Sequence, residues 1–267
     1  MRVHRQPWPR LAVVVLLAAA LGSPAPAAAR ARWVDVYLAL ADNQHQNIVP
    51  VPAALGNGDR PATNLYWGAR YGLKSFFRRS KNWRLVGCTR PSTGPVLEVC
   101  LFRHRRQALY LLARAYRGRF IQRAIGDFLA TAAGSPPPPV RALKPWPPAA
   151  GLDRQNPHLV VYLGHNGLMD FAPPRPAARP RPGVRRVIVL ACAARRFFAG
   201  PLRAASAHPL LWTTGLMAPE AYTLHAAIEG WRRGGVGPAV RERAAAAYDK
   251  YQHCGLAAAR RLLVTGW

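Results

Sequence analysis

The sequence predicts an α/β protein, a three-layer α/β/α sandwich with a mostly parallel sheet and an added β-hairpin. Near-continuous apolar runs, typical of strands covered on both faces, occur at residues 158–163, 187–190 and 210–214. Segments with helical character follow them, at residues 196–206, 219–232, 238–251 and 256–264. Because strands alternate with helices in this half, a parallel sheet between two helical layers is favoured.

The first half of the chain adds elements to the same predicted sheet. Residues 33–40 predict a first buried strand, and residues 41–63, rich in Pro, Gly and Asn, predict a long loop. Asn64 can cap a helix over 64–77, and further elements are predicted as a strand at 108–115 and a helix at 118–132. We therefore divide the α/β domain into an N-terminal part (30–133), a proline-rich linker (134–150) and a C-terminal part (151–267).

The composition limits the classes of protein that this chain can belong to. With 267 residues, 50% of them hydrophobic and 18% charged, the chain can form one large domain or two small ones, which excludes wholesale disorder. The 38 Lys+Arg against 11 Asp+Glu give a net charge of +27, a balance that ordinarily indicates polyanion binding. The arginines are spread among Ala and Pro instead of clustered, so we interpret the charge as compositional bias and predict no specific nucleic-acid partner.

The N-terminal segment predicts export. Three arginines precede an apolar stretch at 11–21 that is too short to span a bilayer comfortably, and small residues with several A-x-A sites follow at 23–29. We predict a signal peptide over residues 1–29 and a periplasmic or secreted protein with no transmembrane segment after its removal. The alternative is an uncleaved anchor.

An exported protein can form disulfides, which makes its four cysteines informative. Cys88 and Cys100 flank a turn-rich segment between two apolar runs, which predicts a hairpin with the two thiols nearly opposite each other. A Cys88–Cys100 disulfide is one of three pairings open to four cysteines. Cys192 and Cys254 are then either paired with each other or free.

Two residues with nucleophile and base chemistry follow strands of the predicted sheet. His165 ends the 158–163 run and Cys192 ends the 187–190 run, and ligands of open α/β sheets bind beyond the carboxyl ends of the strands. A His beside a Cys favours the thiolate, which attacks carbonyl carbon. Gly167, after Asn166, can turn a backbone N–H toward a developing oxyanion, with the Cys192 N–H as a second donor. The alternatives are a small buried Cys and a His on a polar surface.

Four further polar residues are candidates for contacting substrate or orienting His165. Asp42 and Asn43 end the first strand, Asp170 follows His165, and Glu220 lies beside a strand end. Solvated loop carboxylates are the alternative for both aspartates. We predict neither a metal site nor a cofactor, since His and Cys lack a compact ligand spacing.

The segment 162–167, Tyr-Leu-Gly-His-Asn-Gly, is similar to the metacaspase-type Tyr-Ser-Gly-His-Gly pattern. Residues 189–192, Val-Leu-Ala-Cys, resemble the CHAT-type strand that ends in Ala-Cys. Together they resemble the caspase-like cysteine peptidases over about 60 residues. The resemblance implies a caspase-like fold, a peptide or protein substrate, and hydrolysis through an acyl-enzyme, with Cys192 as nucleophile and His165 as general base and acid.

Two other functions remain open at this point. One is a catalytically inactive caspase-like fold that acts as an envelope or interaction protein, and the other is a basic polyanion-binding protein. The sequence leaves substrate specificity and oligomeric state undetermined.

Overall fold

The computed structural model describes residue 1 and residues 31–140, 156–173 and 185–267. Apart from residue 1, the predicted signal peptide lies outside these ranges, as does most of the proline-rich linker. None of the described helices has both the length and the apolar character needed to cross a bilayer.

The described strands form one mixed sheet whose central strands are all parallel. In chain order they are β1 (Arg32–Ala39), β2 (Trp83–Thr89), β3 (Val96–His104), β4 (Leu109–Tyr116), β5 (Leu159–Leu163), β6 (Arg185–Leu190), β7 (Ala207–Thr213) and β8 (Leu263–Val264). Their spatial order is β2-β3-β4-β1-β5-β6-β7-β8. The pairs from β4 through β7 are parallel, and the pairs at the two edges are antiparallel. The predicted α/β class and mostly parallel sheet are confirmed.

Helices cover both faces of this sheet. They are α1 (Leu73–Arg79), α2 (Ile121–Ala132), α3 (Ala194–Ala204), α4 (Ala221–Trp231), α5 (Pro238–Gln252) and α6 (Leu256–Leu262). One apolar cluster joins α2 and α3 to the sheet, and a second cluster joins the other four helices to the opposite face. Successive residues of β5 contribute to the two clusters alternately, which explains why its sequence is apolar at every position.

Two predicted elements differ from the structure for identifiable reasons. The predicted helix 64–77 begins only at Leu73, because the Asn64 side chain accepts a hydrogen bond from Ala41 N (3.0 Å) and donates one to Ala41 O (2.8 Å). Asn64 therefore ties the end of β1 to a turn instead of capping a helix. The predicted helix 256–264 ends at Leu262, because the next two residues form β8 and pair with β7.

The predicted hairpin is formed by β2 and β3, which pair antiparallel and continue the sheet beyond β4. Cys88 lies directly opposite Cys100 in the ladder, and the two are joined by a disulfide. Cys192 and Cys254 are both free thiols. The Cys88–Cys100 pairing is therefore the one that the structure contains, and Cys192 is not paired with Cys254.

Candidate active site

The two residues singled out for nucleophilic chemistry follow neighbouring strands. β5 and β6 are parallel partners, with Leu163 opposite Leu190, so both strands end at the same edge of the sheet. The loops that follow them touch, because Asn166 Nδ2 donates a hydrogen bond to Cys192 O at 2.5 Å. The two strands are therefore neighbours, which is the condition for His165 and Cys192 to lie at one edge of the sheet.

Hydrogen bonds that involve the backbone of Gly164 and His165 fix the start of the loop after β5. Gly164 has a φ of +143°, a region that side chains rarely adopt, and its N–H donates to Leu190 O at 3.1 Å. The Tyr162 hydroxyl donates to His165 O at 2.7 Å. These contacts fix the backbone that carries His165.

The His165 ring is oriented by a carboxylate. Its side chain is 9% exposed, and Nε2 lies 2.7 Å from Asp170 Oδ2. Because a carboxylate accepts the proton of the nitrogen it contacts, this pairing leaves Nδ1 as the ring nitrogen with a free lone pair. Of the two roles considered for Asp170, contact with His165 is the one that the structure supports.

Cys192 is half-buried on the tight turn between β6 and α3. The Thr213 hydroxyl braces this turn from β7, since it donates to Ala191 O and accepts from Ala194 N at 3.1 Å. Ala193 has a φ of +46°, a left-handed conformation that is strained for a residue other than glycine. The positive end of the α3 dipole lies beside this turn, where negative charge is stabilised.

The sulfur of Cys192 contacts the segment that follows β7. Its Sγ accepts a hydrogen bond from Met217 N at 3.4 Å and lies 3.6 Å from Met217 O. Within the described ranges, no hydrogen bond joins this sulfur to the His165 ring. Thiol and imidazole thus share one sheet edge without direct bonding, and hydrogen bonds of catalytic groups often tighten only when substrate binds.

The backbone donors differ in part from the sequence expectation. Gly167 was expected to aim its N–H at an oxyanion, but that N–H lies 3.2 Å from His165 O. Its glycine is required by packing instead, because a Cβ there would lie 2.6 Å from the Phe171 ring. The N–H groups of Asn166 and Cys192 donate no hydrogen bond to any described residue. Asn166 is fully buried whereas Cys192 is half-buried, so the Cys192 N–H is the candidate oxyanion donor.

Asp42 and Asn43 are not brought to His165. Asp42 is 4% exposed and accepts hydrogen bonds from Gln44 N (3.0 Å) and His45 N (3.3 Å), while its Oδ2 lies 2.9 Å from His45 Nδ1. The Asn43 side chain bonds to the N–H and the carbonyl of Val51. Both residues organise the loop after β1, and their expected contact with His165 is not observed.

Two tyrosines beside Cys192 were not predicted from the sequence. Burial raises the pKa of Tyr66, and the charges of Cys192 and Glu220 raise it further. Burial likewise raises the pKa of Tyr248, with smaller contributions that include the same two residues. A Cβ at Gly164 would lie 3.7 Å from the Tyr66 ring, and Ala218 N donates a hydrogen bond to the Tyr248 hydroxyl at 3.1 Å, so both tyrosines pack against loops of the candidate site. Tyr66 was missed because it fell within the predicted helix 64–77.

Glu220 lies just before α4 and is half-buried. Burial raises the pKa of its carboxyl, and the hydrogen bond from the Tyr222 hydroxyl at 3.0 Å opposes that rise. The sequence predicted Glu220 as a substrate contact beside a strand end. In the chain it follows Met217 by three residues, and the Met217 N–H bonds to the Cys192 sulfur. Thr213 was also missed, although its position at the end of the third apolar run could have identified it.

The described residues contain one group of three side chains with metal-ligand atoms close together, Cys88, Glu98 and Cys100. Both of its sulfurs form the disulfide, so neither is free to act as a thiolate ligand. Glu98 is instead paired with Lys74 at 2.8 Å.

No protein family, no curated protein and no solved structure matches this chain. Its function is therefore inferred from its own residues and their arrangement.

Proposed function

We propose that this protein is an exported cysteine peptidase of the caspase-like type, with Cys192 as nucleophile and His165 as general base and acid. One observation carries the proposal: a thiol and an Asp-anchored imidazole follow neighbouring parallel strands, on loops joined by the 2.5 Å bond from Asn166 to Cys192 O. Nucleophile, base and an orienting third group are the components that acyl transfer needs.

The first half of the reaction forms an acyl-enzyme. The Cys192 thiol gives its proton to His165, and the sulfur forms a bond to the carbonyl carbon of the scissile peptide. The carbonyl oxygen becomes an oxyanion, which the N–H group of Cys192 is suited to stabilise. The carbon–nitrogen bond then breaks, and His165 returns its proton to the leaving amine.

The second half restores the enzyme. A water molecule gives a proton to His165 and attacks the thioester carbon, and the carbon–sulfur bond breaks as the carboxylic acid leaves. The proton on His165 returns to the sulfur. Asp170 does not take part in bond formation; it holds the ring through Nε2 so that the other nitrogen serves as the base.

The disulfide supports export. The bridge between Cys88 and Cys100 closes a hairpin at the edge of the sheet, and such bridges persist in oxidising compartments. It agrees with the signal peptide predicted for residues 1–29.

A peptidyl electrophile tests the proposed activity. Such a reagent carries a ketone and a leaving group in place of the scissile bond, and it traps a nucleophile as a stable thioether. We expect modification of wild type at Cys192, identified by mass spectrometry of peptides, and loss of that modification in both Cys192→Ala and His165→Ala. Equal modification of the His165→Ala protein would remove the base assignment, and modification of Cys254 alone would refute the nucleophile assignment.

A second function, polyanion binding, is favoured by the charge. The chain carries 38 Lys+Arg against 11 Asp+Glu. If charge alone is the function, binding to heparin or DNA will weaken steeply with salt and will not change in Cys192→Ala.

A further inference from the structure

A cavity lies between the β2–β3 hairpin and the chain that follows α2. Its volume is about 580 Å³, within the range of pockets that hold small molecules. Three of its lining residues, Thr89, Val99 and Arg114, lie opposite one another on β2, β3 and β4, so their side chains share one face of the sheet. Residues 91–93 of the hairpin turn and residues 138–140 also line it.

This cavity is separate from the candidate active site. None of its described lining residues belongs to the loops that follow β5, β6 or β7. In the order of the sheet, β3 lies four strands from β6, a separation of roughly 20 Å at the usual strand spacing. A ligand here therefore serves a purpose that does not depend on the proposed peptidase activity.

Arg114 supplies a buried cation to the cavity. The residue is 2% exposed, and its guanidinium pairs with the fully buried Asp35 and donates from Nη2 to Pro138 O at 3.1 Å. A guanidinium has five N–H donors, and Arg114 Nε donates to no described residue. Because buried polar groups are normally satisfied, the unused donors of this cation are binding groups for an acceptor in the cavity.

The charge around the cavity favours an anion. Arg90 and Arg114 are the charged residues among its described lining, which includes no carboxylate. Arg90 Nε lies 3.2 Å from Glu98 Oε1, but that carboxylate is shared with Lys74 at 2.8 Å, so positive charge is in excess at the rim. The net charge of +27 also favours the approach of an anion over that of a cation.

The rest of the lining combines aliphatic and hydroxyl groups. The hydroxyls of Thr89, Ser92 and Thr93 form no hydrogen bond with any described residue, so they are available as donors. The aliphatic part consists of three valines and three prolines: Val96, Val99, Val140, Pro91, Pro138 and Pro139. Such a surface suits a hydrocarbon body better than a strongly polar one.

We infer that this cavity binds a small organic acid with an aliphatic body. The carboxylate of the ligand accepts hydrogen bonds from the unused donors of Arg114 and from the Thr89 hydroxyl, and its hydrocarbon part packs against the valines and prolines. This site goes beyond the proposed peptidase function, which uses none of these residues.

Two probes with the same carbon chain, octanoate and octanamide, test the charge of the ligand. Their dissociation constants are measured by calorimetry for wild type, Val99→Phe and a matched control, Val49→Phe. Val99 is 3% exposed and lines the cavity, so a phenyl ring there fills space that the probe needs. Val49 is 87% exposed in the loop after β1, so its variant reports any unspecific binding of an anion to this basic chain.

We expect wild type and Val49→Phe to bind octanoate about tenfold more tightly than octanamide, because hydrogen bonds to a charged acceptor are stronger than neutral ones. Val99→Phe should bind octanoate about tenfold more weakly than wild type, since the packing of the hydrocarbon is lost. Urea denaturation checks that this variant is folded.

Methyl NMR of wild type locates the probe without any substitution, and octanoate should shift the signals of Val96, Val99 and Val140. Absence of octanoate binding to wild type, equal affinity for the two probes, or shifts confined to other methyl groups would overturn the inference. Unchanged octanoate affinity in folded Val99→Phe would do the same. Each of these results leaves the peptidase proposal standing, because Cys192 and His165 take no part in the measurement.

Discussion

Two loops at the same edge of the sheet each contain a histidine in contact with an aspartate, and they place the pair in opposite ways. After β1, Asp42 is buried at 6% side-chain exposure while His45 is 43% exposed. After β5, the histidine is the buried partner, with His165 at 9% and Asp170 at 27%. The contacts are equally short, at 2.9 and 2.7 Å.

The two loops differ in the role of the buried partner, which is the aspartate after β1 and the histidine after β5. Asp42 also accepts two backbone N–H groups and lies against Gly58 and Gly118, so its carboxylate organises a loop and His45 adds to it from the solvent side. Asp170 instead orients the His165 ring, and the loop that carries this ring contacts Cys192 through Asn166. A His–Asp contact indicates a base only where the histidine faces a group on which it can act.

The largest effect is expected from removing each histidine in turn. Under the proposed function, His165→Ala lowers the rate of peptide cleavage about a thousandfold, because general acid–base catalysis contributes roughly 10²–10⁴. His45→Ala leaves the rate within about twofold, because this ring faces solvent. Steady-state cleavage of a fluorogenic peptide measures both, and comparable losses in the two variants would erase the distinction between the loops.

Removal of each aspartate separates catalysis from stability. Asp170→Asn should lower cleavage about ten- to a hundredfold with little change in unfolding, because the ring loses its orienting charge. Asp42→Ala should lower the free energy of unfolding by about 1–3 kcal/mol, because two N–H groups lose their acceptor. Urea denaturation and cleavage assays check the pair; a stability loss for Asp170→Asn without a rate loss would count against its orienting role.

The packing against Asp42 can be tested with a single methyl group. In Gly58→Ala the new Cβ would lie 2.2 Å from Asp42 Oδ2, so the loop must shift, at a cost of about 1–3 kcal/mol in unfolding free energy. Gly200→Ala is the control, because nothing lies within 4 Å of its Cβ; since Gly200 lies inside α3, a gain of about 0.5–1 kcal/mol in unfolding free energy is expected. If Gly58→Ala unfolds at the wild-type urea concentration or above, the loop after β1 accommodates the methyl group and the tight packing against Asp42 is refuted.

The smallest effect concerns Glu220, a carboxylate that has no cationic partner among the residues that the structure describes. Burial raises the pKa of Glu220 in the folded protein above its unfolded value, so its favourable contribution is present at low pH and is lost as pH rises through the folded pKa. Glu220→Gln should therefore raise the melting temperature slightly at about pH 7 and not at about pH 4, near the ordinary pKa of glutamate. Calorimetry at both pH values checks this, and a melting temperature lowered at neutral pH would contradict it.

The central strands were predictable because burial on both faces makes them continuously apolar, as in β5 and in residues 187–190 of β6. The hairpin was predictable because turn residues separate two apolar runs that carry Cys88 and Cys100. β8 could not be predicted from the sequence, because a strand of two residues acquires its conformation only by pairing with β7. The role of Asn64 also depends on tertiary structure. Its side chain forms hydrogen bonds with Ala41 instead of capping a helix.

The candidate site was predictable to the extent that it follows the ends of strands. His165 and Cys192 come directly after β5 and β6, and the sequence alone identified both. Tyr66 could not be identified in this way, because it reaches the site from a turn that propensity assigned to a helix. The direction of the Gly167 N–H was also beyond the sequence, since it depends on the local turn at His165.

The most direct test of the central claim compares the two free thiols within one molecule. Cys254 is exposed and Cys192 is half-buried, so accessibility alone makes Cys254 the faster thiol toward iodoacetamide. At about pH 6, where an ordinary thiol reacts slowly because little of it is thiolate, we predict that Cys192 is alkylated faster than Cys254 and that His165→Ala reverses the order. Faster alkylation of Cys254 in wild type, or a Cys192 rate that is the same in His165→Ala, would contradict the claim that these two residues form a nucleophile and its base.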